Sequence, residues 1–106
     1  MDVIEEIRNT IKETPVVLFM KGTPDLPQCG FSMRTAEALK ACEAEFSYVD
    51  VLAYPEVRQN LPKVSNWPTF PQLYVRGQLV GGSDIVVEMF HSGELKELLE
   101  GAAESA

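Results

Sequence analysis

The sequence predicts an α/β fold with one central four-stranded mixed sheet flanked by helices. Three observations predict it. The apolar run at residues 16–20, Val-Val-Leu-Phe-Met, has the length and the β-forming residues of a buried central strand. Helical spacing of apolar residues stands on either side of that run. Late in the chain, two short strand-like runs are joined by Arg76-Gly77-Gln78, a hairpin signal. The 106 residues are enough for one domain, taken as 1–106, and for one core without metal or disulfide support.

The elements follow in order. Residues 2–13 place Val3, Ile4, Ile7 and Ile11 on one helical face, and Pro15 stops the helix. After the strand at 16–20, residues 21–28 hold one Gly and two Pro and form a loop. Residues 30–45 return to helical spacing, with Phe31, Thr35, Ala38 and Cys42 on one apolar stripe joined by Leu39. Residues 46–52 alternate as a second strand. Pro55 opens a short helix with Glu56 near its positive end; it runs to about Leu61 or beyond, and Pro62 is placed to bend it. Strands at 71–75 and 79–82 precede a helix over 84–100 that Gly93 should break. A β-α-β unit followed by β-β-α is the thioredoxin arrangement. Its first crossover should be parallel and right-handed, and its reactive loop should lie where the first strand hands over to the next helix.

Charge and cysteine content narrow the function. Sixteen acidic against nine basic residues give a net charge of −7, with Lys and Arg scattered. Such a chain repels phosphate backbones and anionic lipid, so neither nucleic acid nor membrane is expected as partner. No apolar stretch reaches a membrane span. The N-terminal residues lack a basic n-region, so a cytoplasmic location is expected, or an organellar one after removal of a presequence. Two cysteines and one histidine cannot complete a four-ligand zinc site within one chain. A working cysteine must therefore act with something from outside the chain.

Cys29 lies between a Pro/Gly loop and an amphipathic helix, which sets its sulfur at a helix N-terminus. Unpaired amides and the helix dipole there favour an anion, and the thiolate is both nucleophile and metal ligand. Lys21 can add positive charge, and Gly30 allows close backbone approach. A reactive role is the reading favoured over an ordinary surface cysteine. Cys42, on the apolar stripe, is read as inert packing. His91, near a helix end, is read as a surface or capping residue. For Trp67, core filling and a role at the site are equally open.

The motifs are more specific. Residues 29–32 are Cys-Gly-Phe-Ser; residues 20–24 are Met-Lys-Gly-Thr-Pro; residues 66–72 are Asn-Trp-Pro-Thr-Phe-Pro-Gln; residues 81–84 are Gly-Gly-Ser-Asp. In this order and spacing, over roughly residues 4–99, the chain resembles the monothiol (CGFS-type) glutaredoxins. Ser32 stands where dithiol relatives carry a second cysteine. The resemblance implies that Cys29 is the active thiol and a cluster ligand. It implies that Lys21 pairs with the glycine carboxylate of glutathione with help from Arg58, and that Thr69 and Phe70 precede a cis-proline, Pro71. The Phe70 backbone would pair with the cysteinyl part of glutathione like an added strand. Ser83 and Asp84 would hold the γ-glutamyl end.

The charges agree with that ligand, which has two carboxylates and one ammonium. Taken singly, Lys21 and Arg58 could equally be solvated surface cations, and Ser83 or Asp84 could cap the last helix. Many family members carry a cysteine where this chain has Ser83, so a disulfide between Cys29 and that position is excluded.

Two functions follow from the resemblance. The first is carriage of a [2Fe-2S] cluster. Such a cluster wants four thiolates, and two chains with two glutathiones supply them in a bridged homodimer. Partners would be apo iron–sulfur proteins and BolA-type proteins. The second is a weak glutathione-dependent thiol–disulfide exchange at Cys29.

Overall fold

The computed structural model describes residues 2–105; residues 1 and 106 of the expected domain span lie outside the described residues. Among the described residues nine elements follow in order: α1 (Val3–Glu13), β1 (Val16–Met20), α2 (Gly30–Ala41), β2 (Ser47–Asp50), α3 (Pro55–Ser65), β3 (Gln72–Val75), β4 (Gln78–Gly81), α4 (Ser83–Ser92) and α5 (Glu94–Ser105). The sheet order is β2-β1-β3-β4. β2 runs parallel to β1, pairing Asp50 with Met20, while β3 is antiparallel to both β1 and β4. This is the mixed four-stranded sheet expected.

β1 is buried along its whole length because helices cover both faces of the sheet. Alternation sorts its side chains into two cores. Val16, Leu18 and Met20 join Leu73 and Val75 against Leu39 of α2, Val86 of α4, and Leu95 and Leu99 of α5. Val17 and Phe19 join Tyr74 against Ile7 and Ile11 of α1 and Leu61 of α3. Phe19 meets Tyr74 edge to face at 5.7 Å. The central strand is thereby fixed from both sides, and so is the height at which Lys21, the next residue, leaves the sheet.

Several boundaries differ from the sequence reading, each for a local reason. α2 ends at Ala41 and not at residue 45: the amide of Cys42 folds back onto Ala38 and Leu39, and Glu43 turns the chain at φ 56°. α3, by contrast, runs beyond Leu61 as expected: it passes Pro62 and stops at Ser65, where Asn66 adopts the left-handed conformation, its amide donating to Pro62 O at 2.9 Å. β2 is shorter than residues 46–52, because Leu52, Ala53 and Tyr54 turn back onto Asp50. The hairpin turns on two residues, Arg76 (φ 50°) and Gly77 (φ 80°), a pair of left-handed positions that matches strand twist. Gly93 (φ 87°) separates α4 from α5, as its position in the sequence led one to expect. Among the described residues, no helix is long and apolar enough to cross a membrane.

Candidate functional site

The candidate site lies beyond the C-terminal end of β1, where the strand passes into the loop 21–28. Gly22 starts the loop at φ 91° and bridges to Pro27. The amide of Gln28 returns to Lys21 O at 2.9 Å, and Thr23 and Leu26 bond each other's main chains. From α2, Lys40 Nζ holds Pro24 O at 2.8 Å and the Asp25 carboxylate at 3.0 Å. The loop is thus a small closed hairpin and not a slack connection. It delivers Cys29 to the N-cap position of α2.

Cys29 is half-buried, and its neutral thiol forms no capping hydrogen bond. The first turn of α2 nevertheless prepares for a charge on the sulfur. The Cys29 pKa is lowered from its ordinary value, first by the amide of Ser32; partial burial opposes this, and the Phe31 amide, the Lys21 charge and the Ser32 side chain add to the lowering. Ser32 itself is fully buried and its Oγ accepts from the Lys21 amide at 3.1 Å. Cys42 is half-buried, not enclosed as expected. It packs against the core beside Ala44 and Phe46, and burial raises its pKa.

The two thiols should therefore separate by pH. Since thiolate is the attacking form, Cys29 should be alkylated by iodoacetamide at lower pH than Cys42, whose reaction awaits a more alkaline solution. Peptide-resolved mass spectrometry across a pH series checks this, and coincident midpoints would refute it.

A groove of about 430 Å³ opens beside this turn, lined by Phe31, Trp67, Thr69, Phe70, Pro71, Gly82, Ser83, Asp84 and Ile85. Five of the residues singled out in the sequence (Thr69, Phe70, Pro71, Ser83 and Asp84) meet here. The Phe70–Pro71 peptide is cis. Among the described residues, none hydrogen-bonds the main chain of Phe70. Lys21 stands beside Cys29, close enough to act on it by charge. Arg58 is exposed on α3 and does not line the groove.

The N-cap of α4 is Gly82, without a side-chain cap bond, and not Ser83 or Asp84. The first turn of α4 therefore has no side-chain cap, and Asp84 is exposed there.

Residues that the sequence did not single out shape this groove. Gln72 is fully buried; its Nε2 donates to Trp67 O at 2.9 Å and Thr69 O at 3.1 Å, and its Oε1 accepts from Tyr74 at 3.0 Å. It fixes the loop that carries the cis-proline. Arg34 sets its guanidinium 5.1 Å from the Phe31 ring centroid and adds a cation near the mouth. Phe31 is 52% exposed and not on the buried face of α2, because that face runs through Ser32, Thr35, Ala36 and Leu39. Trp67 lines the groove, and its Nε1 is the one buried side-chain polar atom without a partner among the described residues. His91 is exposed at the end of α4, as expected.

Volume alone does not identify the site. A larger cleft of about 700 Å³, lined in part by Cys42, Lys96 and Glu100, opens at the start of β1. It holds only the thiol whose pKa is raised.

A thioredoxin fold with one activated thiol at a helix N-terminus, beside a cis-proline groove, defines the class. A family profile for glutaredoxin matches residues 16–80. Glutaredoxin 4 of Escherichia coli K12 is 55% identical over 100 residues, covering 94% of this chain and 87% of its own. Glutaredoxin 4 of Haemophilus ducreyi is 52% identical over 103 residues, covering 97% and 96%. The solution structure of reduced poplar apo GrxS14 superposes with a TM-score of 0.78 at 47% identity, over 93% of this chain and 91% of that one. The chain belongs to the monothiol branch of the glutaredoxin family.

Proposed function

We propose that this chain binds glutathione in the groove and carries a [2Fe-2S] cluster between two protomers, for transfer to apo iron–sulfur proteins in the cytoplasm. The observation that carries this reading is a single activated thiol beside an open groove. Among the described residues no group of three or more His, Cys, Asp or Glu side chains could hold a metal. The chain offers Cys29 alone, and a four-thiolate set is completed by a second Cys29 and two glutathione thiols. Because half of those ligands are small and exchangeable, the cargo leaves without unfolding the protein. A BolA-type protein can take the place of the second protomer.

Groups in the groove and cations outside it suit the two ends of glutathione. Lys21 and, from α3, Arg58 attract the glycine carboxylate. The Phe70 main chain, following Thr69 and held by cis-Pro71, pairs with the cysteinyl unit in the manner of an added strand. The free amides at Ser83 and Asp84 receive the γ-glutamyl carboxylate, and the Asp84 carboxylate its ammonium.

The test is anaerobic reconstitution with iron, sulfide and glutathione. Visible sulfur-to-iron absorption on a species of dimer mass is expected, and its dependence on glutathione should be absolute. A colourless monomer under these conditions sinks the reading.

The lowered Cys29 pKa favours a second reading, protein deglutathionylation. The Cys29 thiolate attacks the glutathione sulfur of a mixed disulfide and expels the protein thiolate. A second glutathione thiolate then attacks the Cys29-bound glutathione, releasing oxidised glutathione and regenerating the Cys29 thiolate. Turnover by colourless protein would favour this reading.

A further inference from the structure

We infer that the cleft between α1 and the β3–β4 hairpin is a second binding site, one for a small organic dianion: two acid groups on an apolar body. The Lys and Arg residues are scattered along the sequence, yet the fold brings three of the nine to one place. Arg8 and Lys12 stand four residues apart on α1, and Arg76 stands at the turn of the hairpin. All three line a cleft of about 460 Å³, a volume within the range of small-molecule sites. Among the described residues, no Asp or Glu lines it. The cleft also stands apart from the groove beside Cys29. The Arg76 amide donates to Pro15 O at 2.7 Å, so the hairpin turn lies beside the start of β1, whereas Cys29 lies beyond its end. The strand between them is about 16 Å long. The faces differ too: Ile11, Val64 and Leu79 of the cleft belong to the core under α1 and α3, while α2 packs on the other core.

Charge, hydrogen bonding and the floor together select the ligand. Arg8 and Lys12 are exposed and form no ion pair among the described residues. Like charges at that helical spacing repel each other, and a bound anion removes the repulsion. Arg76 adds a third charge, with its Nη2 near Gly101 of α5. A monoanion would leave at least two cations facing each other, whereas a dianion balances the unpaired Arg8 and Lys12. The net charge of −7 does not cancel this attraction, because distant surface charges are screened beyond about 8 Å at physiological salt. The hydroxyls at the cleft are already committed: Ser65 Oγ donates to Leu61 O at 3.1 Å and the Tyr74 hydroxyl to Gln72 Oε1 at 3.0 Å. Recognition of the acid groups therefore falls to the cations. The apolar floor of Ile11, Val64 and Leu79 offers nothing to a fully hydrated inorganic ion, but it rewards burial of a hydrocarbon body.

This site is independent of the proposed function, since neither Cys29 nor glutathione enters its test. The probe is isophthalate, a benzene ring bearing two carboxylates, followed by the amide signals in two-dimensional NMR spectra at low ionic strength. Saturable shifts are expected at Arg8, Lys12, Arg76 and Gly77, with Cys29 and Asp84 unmoved. Isophthalamide, the uncharged diamide of the same shape, should bind at least about tenfold more weakly, because hydrogen bonds to charged groups are lost. Inorganic phosphate should bind at least about fivefold more weakly, for want of an apolar body.

The double variant Arg8→Gln/Lys12→Gln removes both unpaired charges at exposed positions and keeps good helix formers there. It should melt close to the wild type and bind isophthalate at least about tenfold more weakly. Absence of saturable isophthalate binding, binding that survives in the double variant, or binding that phosphate or the diamide matches would each overturn the inference. Tighter binding of an acidic peptide, acetyl-Glu-Phe-Glu-amide, at the same residues would overturn it as well, since the cleft would then be a docking surface for a protein segment.

Discussion

Replacing Cys29 by serine should leave a folded, colourless monomer after anaerobic reconstitution with glutathione. The chemical half of this expectation is simple. An alcohol does not ionise in the range where a thiol does, so the variant offers neither nucleophile nor anionic iron ligand. With one thiol per protomer in the proposed ligand set, its loss removes two of four thiolates from the bridged dimer.

The structural half makes the experiment clean. Cys29 is the N-cap of α2 and forms no capping bond as a thiol. Serine is among the preferred N-cap residues and accepts readily from the amides two and three positions on, here Phe31 and Ser32. The variant should melt at or slightly above the wild-type temperature, by up to about 1 kcal/mol of added stability. Visible absorption, sedimentation and thermal melting together read the result. Equal absorption in variant and wild type would show that another residue holds the iron.

Replacing Gly22 by alanine should have the largest effect on the loop. A Cβ at this position would lie 2.5 Å from Leu26 O and 2.7 Å from Gln28 N, both main-chain atoms, at a backbone φ of 91°. Gln28 N cannot yield without breaking its bond to Lys21 O, nor Leu26 O without breaking the one it accepts from Thr23 N. A loss of about 2–4 kcal/mol in stability is expected from strain and lost hydrogen bonds together. Glutathione affinity should fall at least about tenfold, the equivalent of about 1.4 kcal/mol, as Lys21 is displaced. Gly30→Ala is the matched control. Its Cβ would meet only Arg34 Nη2, at 3.9 Å, in the first turn of a helix, so its effect on stability should be small. Urea unfolding and titration calorimetry measure both. A Gly22→Ala protein with the wild-type unfolding midpoint would mean that the loop has a second conformation of equal stability.

How legible these features were in the sequence depended on whether their cause was local. The run Val16–Met20 announced itself because burial on both faces demands an unbroken apolar strand. Cys29 was visible because a Pro/Gly loop meeting a helical repeat marks an N-terminus without further information. Gly93 marked a break for the same local reason. The cis bond before Pro71 came only from family resemblance, since most X-Pro bonds are trans.

Other roles are tertiary, and single-chain spacing carries no trace of them. Asp50 reaches Gly22 across 28 positions, and Ser32 reaches Lys21 across 11. Phe31 was misassigned because the buried face of α2 passes through the polar Ser32, which an apolar pattern passes over. The capping role read for Ser83 and Asp84 fell to Gly82, because the chain leaves β4 one residue earlier than the pattern suggested.

Gln72 gives the groove one property of its own. It grips the carbonyls of Trp67 and Thr69 and so fixes a stretch of main chain, not a set of side chains. A receptor surface made of peptide groups is blind to the side chains that decorate it. The residue at position 70 can therefore drift through many apolar and polar alternatives while the site still offers the same amide and carbonyl. Position 72 has no such latitude, for only an amide side chain of that length donates twice and accepts once from inside the core. Mutational tolerance should thus run opposite to proximity: freest at the groove wall, narrowest at the hidden residue behind it.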